Sequence, residues 1–254
     1  MKVGLFTVLF SQLPWESALD KVKEFGIEAV EVGTGNYPGN AHCNPDLLLE
    51  DSALRKRFKQ AAIDRGLTIS ALSCQGNPLH PNKEFAQKNH ETWRKTVELA
   101  SLLEIPVVCH FSGCPGDSPE AKNPNWVTCA WPNEYSEVLK WQWEEVAIPY
   151  WQKEAEFAKS KGIKIALEMH PGFLVYNPAT LLKLREAAGD NIGANFDPSH
   201  LIWQGIDPVQ AILYLEDAIY HFHAKDTYLD KANIAKKGVL DTASYTSLDR
   251  KSVV

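Results

Sequence analysis

Several features are missing from this 254-residue chain, and each absence excludes a class of protein. There is no excess of basic charge: 26 Lys and Arg against 32 Asp and Glu leave a net charge of −6, which argues against nucleic acid as the main partner. No apolar run approaches the eighteen or so residues that cross a bilayer, so no membrane partner is expected. The five cysteines, Cys43, Cys74, Cys109, Cys114 and Cys129, form no C-x-x-C pair and leave one over. That pattern excludes a disulfide framework and suits a reducing, cytoplasmic setting. Low-complexity tracts, linkers and domain-sized breaks are absent too. The apolar start, Met1 to Phe10, has no small-residue cleavage site after it and reads as a first strand, not as a signal segment. No glycine-rich phosphate fingerprint follows that strand, which weighs against an open doubly wound sheet.

What is present is a repeating alternation of short apolar runs and helical periodicity. The runs are Val3–Val8, Ile27–Gly33, Leu67–Ser73, Pro106–Phe111, Lys164–Glu168, Ile192–Asp197 and a seventh ending at His223. Helices are expected over Trp15–Phe25, Ser52–Arg65, Lys83–Leu103 and Tyr135–Ser160, the last kinked by Pro149, and after Asn177-Pro178 and Asp207-Pro208. Glycines at 26, 66 and 162 stop three of them. Composition is ordinary for a globular protein, 44 % hydrophobic and 23 % charged. The fold class is therefore α/β, a (β/α)8 TIM barrel forming one domain over 1–254, here cut short after strand 7 so that strand 8 is missing. The last six residues, 249–254, match a translated sequencing-library adapter and read as an artefactual tail, with the natural chain expected to continue past about Leu248 into an eighth strand.

Three polar clusters end successive late strands: Glu168-Met-His170, Asp197-Pro-Ser-His200 and His221-Phe-His223-Ala-Lys-Asp226. Glu168 and Asp197 are 29 residues apart, Asp197 and His223 are 26 apart, each close to one strand-helix-strand unit of roughly 30 residues. Any one carboxylate, Glu31 included, could be a helix N-cap, and any one histidine could be a packed core residue. Three clusters in register at strand C-termini have no shared structural motive, whereas a divalent cation needs such convergence. His221 and His223 lie on one strand face, and His223 is nearer the C-terminal end. Lys225 and Asp226 read as a solvated pair. Between Ser112 and Glu134 a Gly/Pro/Asn-rich stretch is too long for an ordinary connection and reads as a lid or binding loop; its Trp126 and Trp131 could stack on a sugar face or simply pack.

The E-x-H, D-P-S-H and H-x-K-D motifs, with Gly76-Asn77-Pro-Leu-His80-Pro after strand 3, resemble the xylose isomerase-like barrel superfamily of sugar phosphate isomerases and epimerases over about Lys2 to Asp241. The resemblance implies that Glu168, Asp197 and His223 are metal ligands, that Glu168 is the catalytic base, and that His200, with His110, Asn77, His170 and Trp131, contacts substrate. It also implies proton abstraction next to a carbonyl through a metal-stabilised enediolate. Oxygen ligands with one imidazole suit Mn²⁺, Mg²⁺ or Co²⁺, with Zn²⁺ open. The substrate expected is a small sugar or polyol, and no basic phosphate cradle stands out. A homo-oligomer is left open. The family's strand 8 glutamate has no counterpart here, so the chain as given is expected to be catalytically impaired and poorly soluble. Three alternatives stand beside this reading: an inosose dehydratase-type lyase, an endonuclease of the same superfamily and a non-catalytic sugar-binding barrel.

Overall fold

Apolar strands too short to stand alone pair side by side, and in the computed structural model seven of them do so in chain order as one parallel sheet. The structure describes residues 2–241 and the backbone of Ser252–Val253. The strands are β1 (Gly4–Phe6), β2 (Ala29–Gly33), β3 (Thr68–Ser73), β4 (Val107–His110), β5 (Lys164–Glu168), β6 (Ile192–Phe196) and β7 (Ile219–Phe222). Every neighbouring pair is parallel. The helices that return the chain are α1 (Trp15–Glu24), α2 (Pro45–Glu50), α3 (Ser52–Asp64), α4 (Lys83–Leu103), α5 (Asn133–Trp141), α6 (Ile148–Ser160), α7 (Pro178–Ala188), α8 (Ser199–Ile202) and α9 (Pro208–Leu215). This is the TIM-barrel fold as a seven-stranded half-barrel. Among the described residues β1 and β7 are not paired to each other and no eighth parallel strand joins them. They are also the two of the seven strands without a fully buried residue. A two-residue antiparallel bridge joins Asp226–Thr227 to Ser252–Val253, and the remainder of the 249–254 tail lies outside the described residues.

The two faces of the sheet are filled differently, because strand side chains alternate. Outward residues Val30, Val32, Leu72, Val108, Ile165, Leu167, Ile192, Ala194 and Phe196 meet the helices in one apolar core with Leu19, Phe58, Trp93, Trp151 and Leu184. The inner face is lined by the small residues Ala71, Val107, Cys109 and Ala166, with Tyr220 against them. Gly193 belongs to this economy of space: a Cβ there would lie 2.3 Å from the Ala218 carbonyl oxygen and 2.5 Å from the Tyr220 ring. Only glycine lets β7 approach β6 so closely. The sheet register shifts between Val30 and Glu31 and again between Ala194 and Asn195, next to polar residues that point inward.

Two sequence expectations need correction. The polar loop after β2 contains α2, capped by the Asn44 side chain, which accepts from the Asp46 and Leu47 amides, with Pro45 at the first turn. The long fourth helix starts at Asn133 and is not one α-helix kinked at Pro149: Gln142–Ala147 adopt a π-helical turn, and Pro149 lies in the first turn of α6, where a missing N–H costs little. That turn buries Gln142, whose Nε2 donates to the carbonyls of Gly116 (2.8 Å) and Asn125 (2.7 Å). Together with Ser112, which accepts from the Val175 amide at 2.9 Å and from Trp151 Nε1 at 2.8 Å through its carbonyl, Gln142 ties down the stretch that reads as a lid.

His110 at the end of β4 is fully buried, edge-on to Trp93 and Trp151 with centroids at 5.2 and 6.0 Å. Its Nδ1–H donates to the Phe111 carbonyl at 2.5 Å. Burial pushes the imidazole down to about 4, from an ordinary 6.5, against the weaker upward pull of that bond. A folded pKa below the unfolded one means stability is present above pH 6.5 and is lost as pH falls towards 4. Stability of the metal-free protein is therefore expected to fall between pH 6.5 and 4 by up to about 1.4 kcal/mol per pH unit for this residue. In urea titrations across that window His110→Phe should show a shallower pH slope; an unchanged slope would refute the assignment.

Candidate metal and active site

The C-terminal ends of the strands hold a cluster of charge in a place where water is scarce. Glu31, Glu168 and Asp197 are all buried, and the imidazoles of His200, His221 and His223 stand among them. Each carboxylate is placed by its strand: Glu31 in β2, Glu168 as the last residue of β5, Asp197 just past β6. Uncompensated, three buried carboxylates would each cost several kcal/mol. Their partners are therefore the substance of the site.

Glu168 accepts from His200 Nε2 at 3.1 Å on Oε1 and from Gln75 Nε2 at 3.2 Å on Oε2. Burial alone would raise its carboxyl; the His200 hydrogen bond and the charges of His223 and His200 outweigh that and hold it at about 2. It caps no helix. Asp197 divides its two oxygens between both readings of the sequence. Oδ1 accepts from the Ser199 amide (3.0 Å) and hydroxyl (2.6 Å), which holds the first residue of α8, while Oδ2 faces Lys225 Nζ at 2.6 Å and His200 Nε2 at 3.4 Å. Burial acts to raise Asp197 as well, and His223, His200 and Lys225 together drive it below its ordinary value. Lys225 is thus not part of a solvated pair with Asp226. The chain after β7 runs on beside β6, the His223 amide donating to the Phe196 carbonyl at 2.9 Å, and the tight turn in which the Lys225 amide donates to the His223 carbonyl at 2.9 Å brings the ammonium onto Asp197.

His223 stands between the carboxylates. Its Nε2–H donates to Glu31 Oε2 at 2.7 Å, and its Nδ1 lies 3.7 Å from Glu168 Oε2 and 3.8 Å from Asp197 Oδ2. Desolvation would lower this imidazole, yet the field of Glu31, then Asp197 and Glu168, lifts it to about 11. His221, two residues earlier on the same face, has Nδ1 at 3.2 Å from Asn195 Oδ1 and Nε2 at 3.3 Å from the Ser70 hydroxyl.

The residues singled out in the sequence fall into two groups. Glu168, Asp197, His200 and His223 come together, and His170 borders them, its ring centroid 4.1 Å from that of His200 and its flank against Phe111 and Phe173. Burial first, and then the His200 charge, lowers His170 to about 4. The others stand apart from the carboxylates. Asn77 is occupied with its own loop, Oδ1 accepting from the Leu79 and Cys114 amides and Nδ2 donating to the Cys114 carbonyl. His110 lies in its box of tryptophans. Trp131 is 74 % exposed, while Trp126 packs edge-on against Tyr176.

Glu31, Gln75, Asn195 and Lys225 carry contacts that sequence reasoning did not assign. Three had a usable signal: Glu31 lies two residues before the end of β2, Gln75 two residues after the end of β3, and Asn195 precedes Asp197 by two, on the same face. Lys225 had none, since its reach depends on the backbone turn after β7.

The donor set fits a divalent cation. Glu168, Asp197 and His200 present ligand atoms within 4.8 Å of one another, and so do Glu31, His221 and His223. Oxygen-rich with imidazole is the chemistry of Mg²⁺ and Mn²⁺ sites, with Zn²⁺ also able to use it. The raised His223 and the ammonium on Asp197 show how strongly this cluster calls for positive charge.

Comparison with known proteins places the fold. A protein YfiH from Bacillus subtilis is 43 % identical over 249 residues, 97 % of this chain and 79 % of that protein. An inosose dehydratase of Geobacillus kaustophilus is 24 % identical over 234 residues, 89 % of this chain and 66 % of its own length. Among solved structures, the probable 3-DHS dehydratase AsbF from Bacillus anthracis superposes with a TM-score of 0.66 at 18 % identity, over 96 % of this chain and 81 % of that one. A D-tagatose 3-epimerase-like protein does so with a TM-score of 0.63 at 22 % identity, over 89 % and 76 %. At such identities the structures speak for the fold alone. The family model for the xylose isomerase-like TIM barrel matches residues 19–248, and the chain belongs to that family.

Proposed function

We propose that this protein is a divalent-metal-dependent isomerase or epimerase of a small sugar or polyol, working by proton abstraction from the carbon next to a carbonyl. The observation that carries the reading is the convergence of Glu168, Asp197 and His223 at the ends of β5, β6 and the segment after β7, with His200 bridging the two carboxylates. Glu168, Asp197 and His223 would hold the cation. A cation so held acts as a Lewis acid on a carbonyl or hydroxyl oxygen and stabilises the negative charge left when the neighbouring carbon loses its proton.

The chain's own residues divide the remaining work. Glu168 is ionised across the neutral range and is the carboxylate that takes the proton. Gln75 and His200 fix its two oxygens from either side. His200, 3.1 Å from Glu168 and 3.4 Å from Asp197, is the donor closest to both carboxylates and suits a substrate carbonyl or hydroxyl. Phe111, Phe173 and His170 form an aromatic wall beside it, with Phe111 and Phe173 stacked at 4.3 Å, and such a wall suits the apolar face of a sugar and keeps bulk water from the base. His170 stays neutral above about pH 4, so the wall adds no charge at neutral pH.

A lyase that removes water from an inosose is the second reading, favoured by the 24 % identity over 234 residues to a protein named inosose dehydratase. It uses the same first step, and the two part only at the fate of the carbanion.

Two results are expected. In melts of the metal-free chain, Mn²⁺ at about a hundred times its dissociation constant should stabilise the fold by about 2.7 kcal/mol, and Asp197→Ala should lose that gain; a wild-type protein that melts cooperatively and ignores Mn²⁺ would refute the metal site. With a panel of ketoses and inososes in D₂O, deuterium should enter the carbon next to the carbonyl, and Glu168→Gln should slow this by about 10²–10⁴-fold at matched metal occupancy. Undiminished exchange in that variant would place the base elsewhere. Mass spectrometry of the product separates the readings, since only the lyase loses water.

A further inference from the structure

Glu31 takes no part in the chemistry above, yet it makes the shortest carboxylate contact to His223. It is inward-facing on β2, at the residue where the register with β3 shifts. Its backbone carbonyl accepts from the Thr7 hydroxyl at 3.2 Å. One side-chain oxygen, Oε1, accepts from the Ser73 hydroxyl, and the other, Oε2, accepts from His223 Nε2–H at 2.7 Å. Both oxygens are thus occupied and the carboxylate is held in one orientation.

We propose that Glu31 is the positioning residue for His223: by taking the Nε2 proton it fixes the ring so that the Nδ1 lone pair faces Glu168 and Asp197 and can serve a cation. The inference rests on the reading of His223 as a metal ligand. A free imidazole interconverts between tautomers and can turn over, offering either nitrogen. A buried carboxylate on Nε2 removes both freedoms and makes Nδ1 a stronger donor. Geometry favours this over a second cation held by Glu31, His221 and His223. Both ring nitrogens of His221 already face Asn195 and Ser70, and Nε2 of His223 points at Glu31 with no room for an ion at 2.7 Å. Glutamine would be a poor substitute, because its amide has no charge and can present N–H to Nε2, which selects the opposite tautomer.

The test is Mn²⁺ binding to the full chain, followed by loss of the free-ion EPR signal, for wild type, Glu31→Gln and Ser73→Ala, with Asp197→Ala as the variant that removes a ligand. Glu31→Gln is expected to weaken binding by about 10–100-fold, and Ser73→Ala, which frees one oxygen of Glu31, by a few-fold. On the Zn²⁺-loaded protein, ¹⁵N spectra of the histidine rings should show His223 protonated at Nε2 in wild type and a changed protonation pattern in Glu31→Gln, a signature that lost packing alone would not produce. If Glu31→Gln fails to melt cooperatively in EDTA, Ser73→Ala decides: weaker binding supports the assignment, equal binding overturns it. Wild-type binding matched by Glu31→Gln overturns the positioning role alone. A wild-type chain that takes up no Mn²⁺ overturns the metal site and this role together.

Discussion

Charge compensation at the strand ends is the constraint on which the rest of this structure depends. Three carboxylates are buried within reach of one another, and desolvation acts to raise every one of them, yet all three end below their ordinary values. The compensating groups come from different elements: His200 from α8, His223 and Lys225 from the segment after β7, Gln75 and Ser73 from the end of β3. None of these contacts is local in sequence except those within Asp197 to His200. The site exists only when β2, β3, β5, β6 and β7 are in register, so the energy of the site and the order of the sheet are one problem.

Volume is managed to allow it. Among the described residues the large apolar core is on the outside of the sheet against the helices, and the inner face carries alanine, valine, cysteine and glycine with Tyr220 against them. Small inner residues leave room at the C-terminal ends for imidazoles and carboxylates, and Gly193 lets β7 close on β6. The connections on that side are tied down rather than loose. Asn77 bonds to the Cys114 backbone and Gln142 to the Gly116 and Asn125 carbonyls, so the long stretch is tied down at 114, 116 and 125. Pinned loops matter here because a positioned acid or base loses rate quickly with small displacements.

Much of this was legible in the sequence. Apolar runs alternating with helical periodicity read as a parallel barrel, and strand ends carrying Glu168, Asp197 and His223 at steps of 29 and 26 residues read as a converging site, because strand direction and that repeat length together fix where strand C-termini meet. What escaped had two physical causes. Side-chain contacts between strand ends, such as Lys225 to Asp197 beside it and His223 to Glu31 on β2, depend on turns and tilts that periodicity does not encode. Backbone irregularities, such as the π turn at Gln142–Ala147 and the shifts beside Glu31 and Asn195, answer to packing and leave little mark on composition. Helix α2 is the exception, since Asn44-Pro45-Asp46 is a recognisable start signal inside what reads as a loop.

The competing readings of a carboxylate at a strand end, cap or ligand, need not exclude one another. Asp197 gives Oδ1 to Ser199 and Oδ2 to the charged cluster, so one residue both holds the first residue of α8 and faces the site. This arrangement has a consequence for His200, which lies one residue beyond Ser199 on that short helix. The bond to Ser199 sets where the first turn points, and the first turn is what delivers His200 to Glu168. A ligand that were only a ligand would leave His200 to the loop; a cap that were only a cap would leave the cluster without its second carboxylate. The same logic holds on the other side of the barrel, where Glu31 is spent on an imidazole and not on a helix, and it explains why a compact set of strand-end residues can hold charge, shape and orientation at once.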